Sequence, residues 1–356
     1  MHSHIRWINA LSNADRTRML SGLKLIDVHH HVVLPEYEAA LKRSKAIDPS
    51  RPFRKGDPPA IVYEKMAEFG VAAAVVNPLS VAGVHHGDDA NARYLTRSVG
   101  EALAKFAGAR SELGFFAPLP LPDIDGALVE MAYALDVLRA DGFILLSHQN
   151  GVYVGDPRYR PVYDEMNRRG AIVFIHPTIP PYLPGGLDLP LWPAYIEYAF
   201  DTTRAGVNLI YNEVLREFPN IRWILAHAGG TFPYLSTRLR LMEELETHQP
   251  PFPRLGAGRP FHERFPEGVR PWLDRFYYDV ALSGGGPPMA ALTQLAGAGR
   301  ILYGSDWPFV ERNFVVDQLD DLMTMWHFDG EEFHAMERRN AEALFKRFGG
   351  ASNSGE

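Results

Sequence analysis

Short β-branched, apolar runs alternate with longer amphipathic stretches through nearly all of this 356-residue chain, and no other feature narrows its possible folds as far. Lys24–His31, Val71–Asn77, Glu112–Pro118, Gly142–Leu146, Ala171–His176, Ile221–His227, Arg275–Val280 and Arg300–Ser305 read as strands. Asn91–Ala107, Asp123–Ala140, Pro157–Arg169, Ala199–Phe218 and Phe232–Glu246 read as helices between them. Near-continuous apolar strands belong to a parallel sheet covered on both faces, because crossover helices pack on each side. Eight such units are the number that closes a (β/α)8 TIM barrel, the expected α/β fold. An open doubly wound sheet alternates too, but "LSGGGPP" and "LAGAGR" lack the strand–G-x-G-x-x-G–helix context of a dinucleotide-binding fold.

The expected organisation is an N-terminal extension (1–22), one barrel domain (23–348) with a Pro/Gly-rich insertion (248–271), and a flexible tail (349–356). The stretches after the first and fifth strands are long and Pro-rich, and strand-to-helix loops surround a barrel's catalytic face. The insertion follows a helix and precedes a strand, which places it on the opposite face or flank, where an oligomer contact or plain packing is expected. A formal charge of −7 gives no support for a nucleic-acid or anionic-membrane partner. No apolar run reaches the roughly 18 residues of a membrane span, and the first 22 residues lack an apolar signal core, so a cytoplasmic enzyme is expected. The absence of cysteine excludes disulfides, thiolate zinc sites and a Cys nucleophile.

Side chains on a strand alternate faces, so in "IDVHHHVV" His29 and His31 share one face and His30 takes the other. Asp27 is expected on the face of the first pair. Two neutral imidazoles converging at a strand's carboxyl end begin a divalent-metal site. The His2/His4 pair near the amino terminus has no strand around it and reads as adventitious. Three later strands also end in ligand-type residues: "AIVFIHP" in His176, "IRWILAHAGG" in His227 and "ILYGSDWP" in Asp306. Repetition on four strands at one rim argues against coincidence, since each unpaired buried polar group costs about 1–3 kcal/mol.

Together these segments resemble the amidohydrolase superfamily, in the branch that contains aminocarboxymuconate-semialdehyde, γ-resorcylate and 6-methylsalicylate decarboxylases. The resemblance runs from about Leu25 to Phe348 and includes "IDVHHH", "GVYVGDPRYRPVYDEMNRRGAIVFIHPT", "HAGGTFPYLSTRL", "YGSDWP" and "NAEALFKRF". It implies a barrel of the metal-dependent hydrolase type in which His29, His31, His176 and Asp306 hold one divalent ion. Zinc is the first expectation and manganese the second, because one carboxylate with three imidazoles suits either. It further implies that His227 is the catalytic histidine beside that ion. Relatives with two metals use a lysine ending strand four, where this chain reads "DGFILLSHQ", so a mononuclear centre is expected. "RSVGE" departs from the Arg-x-x-Asn-Glu of related sequences, with Gly100 in place of Asn.

The implied activity is metal-dependent, non-oxidative decarboxylation of a small hydroxyaromatic or related unsaturated carboxylic acid. Asp306 would donate the proton, and His227 would polarise water or stabilise charge. Hydrolysis of a lactone, amide or ester on the same scaffold is the alternative. Arg54, in "PFRKGDPP", is a candidate anchor for the substrate carboxylate, its fork suiting bidentate pairing. His148 and Tyr153 after strand four, and Tyr182 and Trp192 after strand five, are candidate pocket residues. Asp279, ending strand seven, is a candidate support for a ligand. A homodimer is expected from the relatives, with the insertion contributing to the contact.

Overall fold

The computed structural model of the chain describes residues 20, 22–32, 34–43, 59–78, 83–181, 191–248, 260–324 and 328–349. Eight parallel strands lie in sequence order in one sheet: β1 (Leu25–Val32), β2 (Val71–Pro78), β3 (Leu113–Pro118), β4 (Gly142–Leu146), β5 (Ile172–His176), β6 (Arg222–Leu225), β7 (Tyr277–Asp279) and β8 (Ile301–Leu302). The helices that follow them in turn are α1 (Pro59–Glu68), α2 (Asp89–Ala107), α3 (Ile124–Asp136), α4 (Arg160–Arg169), α5 (Glu197–Tyr211), α6 (Phe232–His248), α7 (Gly286–Leu295) and α8 (Arg312–Thr324). A small antiparallel ribbon, His148–Gln149 with Val152–Tyr153, rises from the end of β4.

The two edges of the sheet meet beyond β8. His30 and Trp307 form a parallel bridge. Val28 N–H donates to the Tyr303 carbonyl at 3.0 Å, His31 N–H to that of Trp307 at 2.7 Å, and Asp306 N–H to that of His29 at 2.9 Å. This seam nearly closes the barrel, and it welds the first strand to the last polar residue of the site.

Two apolar layers explain the unbroken hydrophobic strands. Ile26, Val28, Val75, Phe116, Ile144, Phe174 and Ile224 cluster inside, joined by Leu344, Phe345 and Phe348. Arg347 pairs with Asp141, which immediately precedes β4, so this C-terminal segment stoppers the end where the strands begin. Val76, Phe143, Val173, Trp223 and Leu225 face the helices in a second cluster. Fully burying one such side chain contributes about 1.5–3 kcal/mol, so both faces of every strand have an apolar reason to be where they are.

Several element ends differ from the expected ones. Regular pairing in β6 stops at Leu225 and in β8 at Leu302, short of His227 and Ser305, because the backbone leaves the extended region to present the rim residues. The expected helix Ala199–Phe218 is broken into α5 and a short turn, Val214–Glu217, at Glu213, whose φ is 63°. Among the described residues, no helix is long and apolar enough to cross a membrane.

Candidate metal centre

The site begins with an irregularity in β1. Its register against β2 shifts between Asp27 and His30, so strict alternation fails there. His29 and His31 both face the barrel interior: the His29 ring meets the interior Phe174 edge-on, with centroids 4.9 Å apart, and Nε2 of His29 lies 3.0 Å from Nε2 of His31. Asp27 does not share their face, contrary to the alternation rule. Its carboxylate pairs with His30 Nδ1 at 3.0 Å and accepts from Ser305 Oγ at 2.6 Å and Ser305 N–H at 3.1 Å. Asp27 and His30 therefore belong to the β1–β8 seam.

His29, His31, His176 and Asp306 come together, all buried, with one potential ligand atom from each inside a 4.8 Å span. Asp306 Oδ1 stands 3.2 Å from His29 Nε2 and 3.1 Å from His31 Nε2. The second nitrogen of each ring faces an acceptor: His29 Nδ1 faces Asp279 Oδ2 at 2.9 Å, His176 Nδ1 the Pro177 carbonyl at 2.7 Å, and His31 Nδ1 the Pro78 carbonyl at 3.5 Å. An acceptor at Nδ1 favours the tautomer with its proton there and leaves the Nε2 lone pairs bare. Three ring nitrogens and a carboxylate turned toward one another need positive charge among them, either a proton on one ring or a cation in its place. The donor set thus fits a divalent ion, of the N/O kind that suits zinc or manganese.

Charge sorting around the centre follows the same geometry. Burial alone would lower His29, but the Asp279 and Asp306 carboxylates outweigh it and raise its pKa to about 10. Burial depresses His31, and it depresses His176 strongly, helped by the neighbouring imidazoles. Asp306 is fully buried, which would raise it, yet the His29 charge and bonds from His227, His29 and His31 hold it well below the usual carboxylate range. The site therefore keeps its one acid ionised.

Backbone strain marks the same rim. His227, Ala228 and Asp306 have φ values of 57°, 55° and 58°, in the left-handed region that costs a non-glycine residue roughly 1–2 kcal/mol. Such conformations point side chains where a regular strand would not. Asp279 steadies the turn by accepting from His227 N–H at 3.1 Å. Gly230 has a φ of 65° and lies so close to α5 that a Cβ would sit 2.0 Å from the Ala199 carbonyl oxygen. His227 Nε2 ends up 3.6 Å from Asp306 Oδ2, beside the cluster.

The expected pocket residues divide. His2, His4, Arg54 and Tyr182 lie outside the described residues, as do residues 249–259 of the 248–271 insertion. His148 is buried and its Nε2 faces the Ile179 carbonyl at 3.0 Å, while Tyr153 donates to Asp201. Ser147 also donates to Asp201, so these residues brace the β4 ribbon against α5 and the chain after β5. Trp192 is 57% exposed.

Three residues not singled out from sequence approach the centre. Asn77, the register partner of His31 on β2, is fully buried, and among the described residues neither atom of its amide has a hydrogen-bond partner. The sequence carried the same signal as for His176, a polar group at the end of an apolar run. Phe309 packs its ring on His31 at 5.0 Å and Tyr198 lies 6.2 Å from His176, contacts made by loop and helix residues that no local pattern marks. Pro78, whose carbonyl faces His31, also borders an apolar cleft lined by Leu119, Leu121, Leu145 and Val154, and no residue of the His/Asp cluster lines that cleft.

A (β/α)8 barrel with this cluster at the carboxyl ends of its strands is a barrel of the metal-dependent hydrolase type. The chain belongs to the amidohydrolase family, whose profile matches residues 26–347. It is 31% identical over 333 residues to the 6-methylsalicylic acid decarboxylase of Penicillium expansum, with 91% of this chain and 97% of that relative covered. Its structure is similar to that of an amidohydrolase II, with a TM-score of 0.80 and 26% identity over 90% of this chain and 99% of the other. It also shares the fold of the 5-carboxyvanillate decarboxylase of Novosphingobium aromaticivorans, complexed with manganese and 4-hydroxy-3-methoxy-5-nitrobenzoic acid. In that case the TM-score is 0.76 at 17% identity, over 92% of this chain and 97% of the other.

Proposed function

We propose that this protein is a metal-dependent, non-oxidative decarboxylase of a small hydroxyaromatic carboxylic acid. The observation that carries the reading is the convergence of three imidazoles and one ionised carboxylate in a chain that matches a 6-methylsalicylic acid decarboxylase over nearly its whole length. His29, His31, His176 and Asp306 would hold one divalent ion, zinc or manganese. When bound, that ion supplies positive charge that orients the acid's oxygens and favours electron flow away from the breaking bond.

The protein's own groups account for the proton. Asp306 is ionised in the free site, so it accepts a proton from the bound acid, whose ring hydroxyl is the available donor, and returns it to the ring carbon that bears the carboxylate. That carbon gains a C–H bond, the C–C bond breaks, and its electron pair restores the ring as carbon dioxide leaves. No redox partner is required. His227, next to the second oxygen of Asp306, stabilises charge as the proton moves. Asn77 offers an amide donor and acceptor, without partners among the described residues, to the acid's polar groups, and the Phe309 and Tyr198 rings beside His31 and His176 offer flat walls to the ring. Arg54, His148, Tyr153, Tyr182 and Trp192 remain the candidate residues for contacts farther from the reacting bond.

The decarboxylase relative favours this reaction over hydrolysis on the same scaffold. Incubating metal-loaded protein with a panel of salicylate-like acids and with lactones separates them: release of carbon dioxide with the decarboxylated phenol is expected. Ring-opened acid from the lactones, with no carbon dioxide from any acid, would reverse the assignment. The same reading has the enzyme acting as a cytoplasmic homodimer, with light scattering to report its mass in solution.

A further inference from the structure

The end of the barrel opposite the metal centre carries a basic cleft that the reaction does not use. Three consecutive strands bring an arginine to it: Arg222 opens β6, Arg275 lies two residues before β7, and Arg300 immediately precedes β8. With Trp223 and Tyr277 they line a depression of about 350 Å³. All three arginines are half-buried, and among the described residues none pairs with a carboxylate. The acidic residues nearby are engaged elsewhere, Asp274 with Arg270 and Glu217 with Arg160.

The side chains around the cleft are rich in donors. Arg222 donates to the Gly170 carbonyl, and Arg275 Nη2 donates to that of Pro219 at 2.7 Å; each leaves further N–H groups unspent. The Arg300 guanidinium lies 4.6 Å from the centre of the Tyr277 ring. Trp223 is buried, and its indole N–H, which can only donate, has no partner among the described residues. Burial lowers Arg222 and Arg275, and the Arg300 charge lowers Arg275 further, so Arg275 and Arg300 repel each other across the cleft. The grouping is local, because the chain as a whole has a formal charge of −7.

We propose that this cleft is a second ligand site, separate from the barrel mouth, which binds a phosphate-class oxyanion, either inorganic phosphate or the phosphate of a small monoester. Planar guanidinium forks match tetrahedral oxyanions, and a dianion neutralises charge that the fold leaves uncompensated. Strand starts in a barrel are rigid, so the site is preformed and its occupation leaves the distant metal centre unchanged.

Calorimetric titration of the metal-loaded protein with inorganic phosphate, at constant ionic strength set by chloride, tests this. Arg300→Gln is the first variant, because its guanidinium rests on a ring and no backbone carbonyl depends on it. Arg275→Gln is the second. Each is expected to lose about tenfold in phosphate affinity, corresponding to about 1.4 kcal/mol, with decarboxylation unaffected. Arg300→Lys, which keeps the charge without the fork, is expected to fall between wild type and Arg300→Gln. Glycerol phosphate in place of phosphate distinguishes the sources: tighter binding of the ester marks a monoester site, tighter binding of phosphate a site for the free anion. Equal affinity in wild type and all three variants, or no binding of either ligand by wild type, would overturn the proposal.

Discussion

Asp279 acts at the centre without facing the candidate ion. It holds His29 Nδ1 at 2.9 Å, and its other oxygen accepts from the backbone N–H groups of His227 at 3.1 Å and Ala281 at 2.9 Å. Asp279→Asn keeps the shape but removes the charge that sets the His29 tautomer. Metal affinity is expected to fall about 10–100-fold, as measured by competition with a chromophoric chelator. Asn77 makes the opposite trade. Its buried amide is unsatisfied, so Asn77→Leu is expected to stabilise the fold by about 1–2 kcal/mol in thermal unfolding while raising KM for the acid. A destabilised Asn77→Leu with unchanged KM would show that the amide serves the fold instead.

At the scale of elements, β1 is the strand on which the site depends, and its usefulness comes from broken alternation. The shift between Asp27 and His30 turns two imidazoles inward and leaves Asp27 to tie the seam through His30, Ser305 and the His29 N–H at 3.0 Å. Burial would raise the Asp27 pKa, but those bonds outweigh it and lower it. A carboxylate whose folded pKa is depressed stabilises fully above its unfolded pKa, and the contribution is lost as pH falls through the folded value. Asp27→Asn should therefore cost about 1.5–3 kcal/mol at neutral pH and flatten the loss of stability below about pH 4. Chemical denaturation across pH 2–7 reads both effects. The β6 and β8 ends follow a related logic, since His227 and Asp306 reach the centre only by leaving the extended region.

For the whole molecule, a metal bound at this centre would tie the barrel together, because the candidate ligands come from β1, β5 and the segment beyond β8. Chelation should remove activity and lower the unfolding temperature by several degrees, and zinc or manganese should restore both. An ion present at 100 times its dissociation constant contributes about 2.7 kcal/mol. The eight-fold alternation was legible in the sequence, because strand burial on two faces leaves a local pattern, and polar strand ends marked His29, His31, His176, His227 and Asp306 as candidates, four of which the fold gathers into one cluster. Asp27's true face was not legible: a bulge arises from pairing with a neighbouring strand and has no sequence period of its own. The same holds for Asn77's lack of a partner, for Tyr198 and Phe309 at the rings, and for three arginines over 70 residues apart in all that share one cleft. Sequence by itself determined which side chains could do chemistry and on which elements they ride. Which of them meet was decided only by closure of the barrel, because distances between separate strands depend on register, twist and strained turns that no single segment encodes.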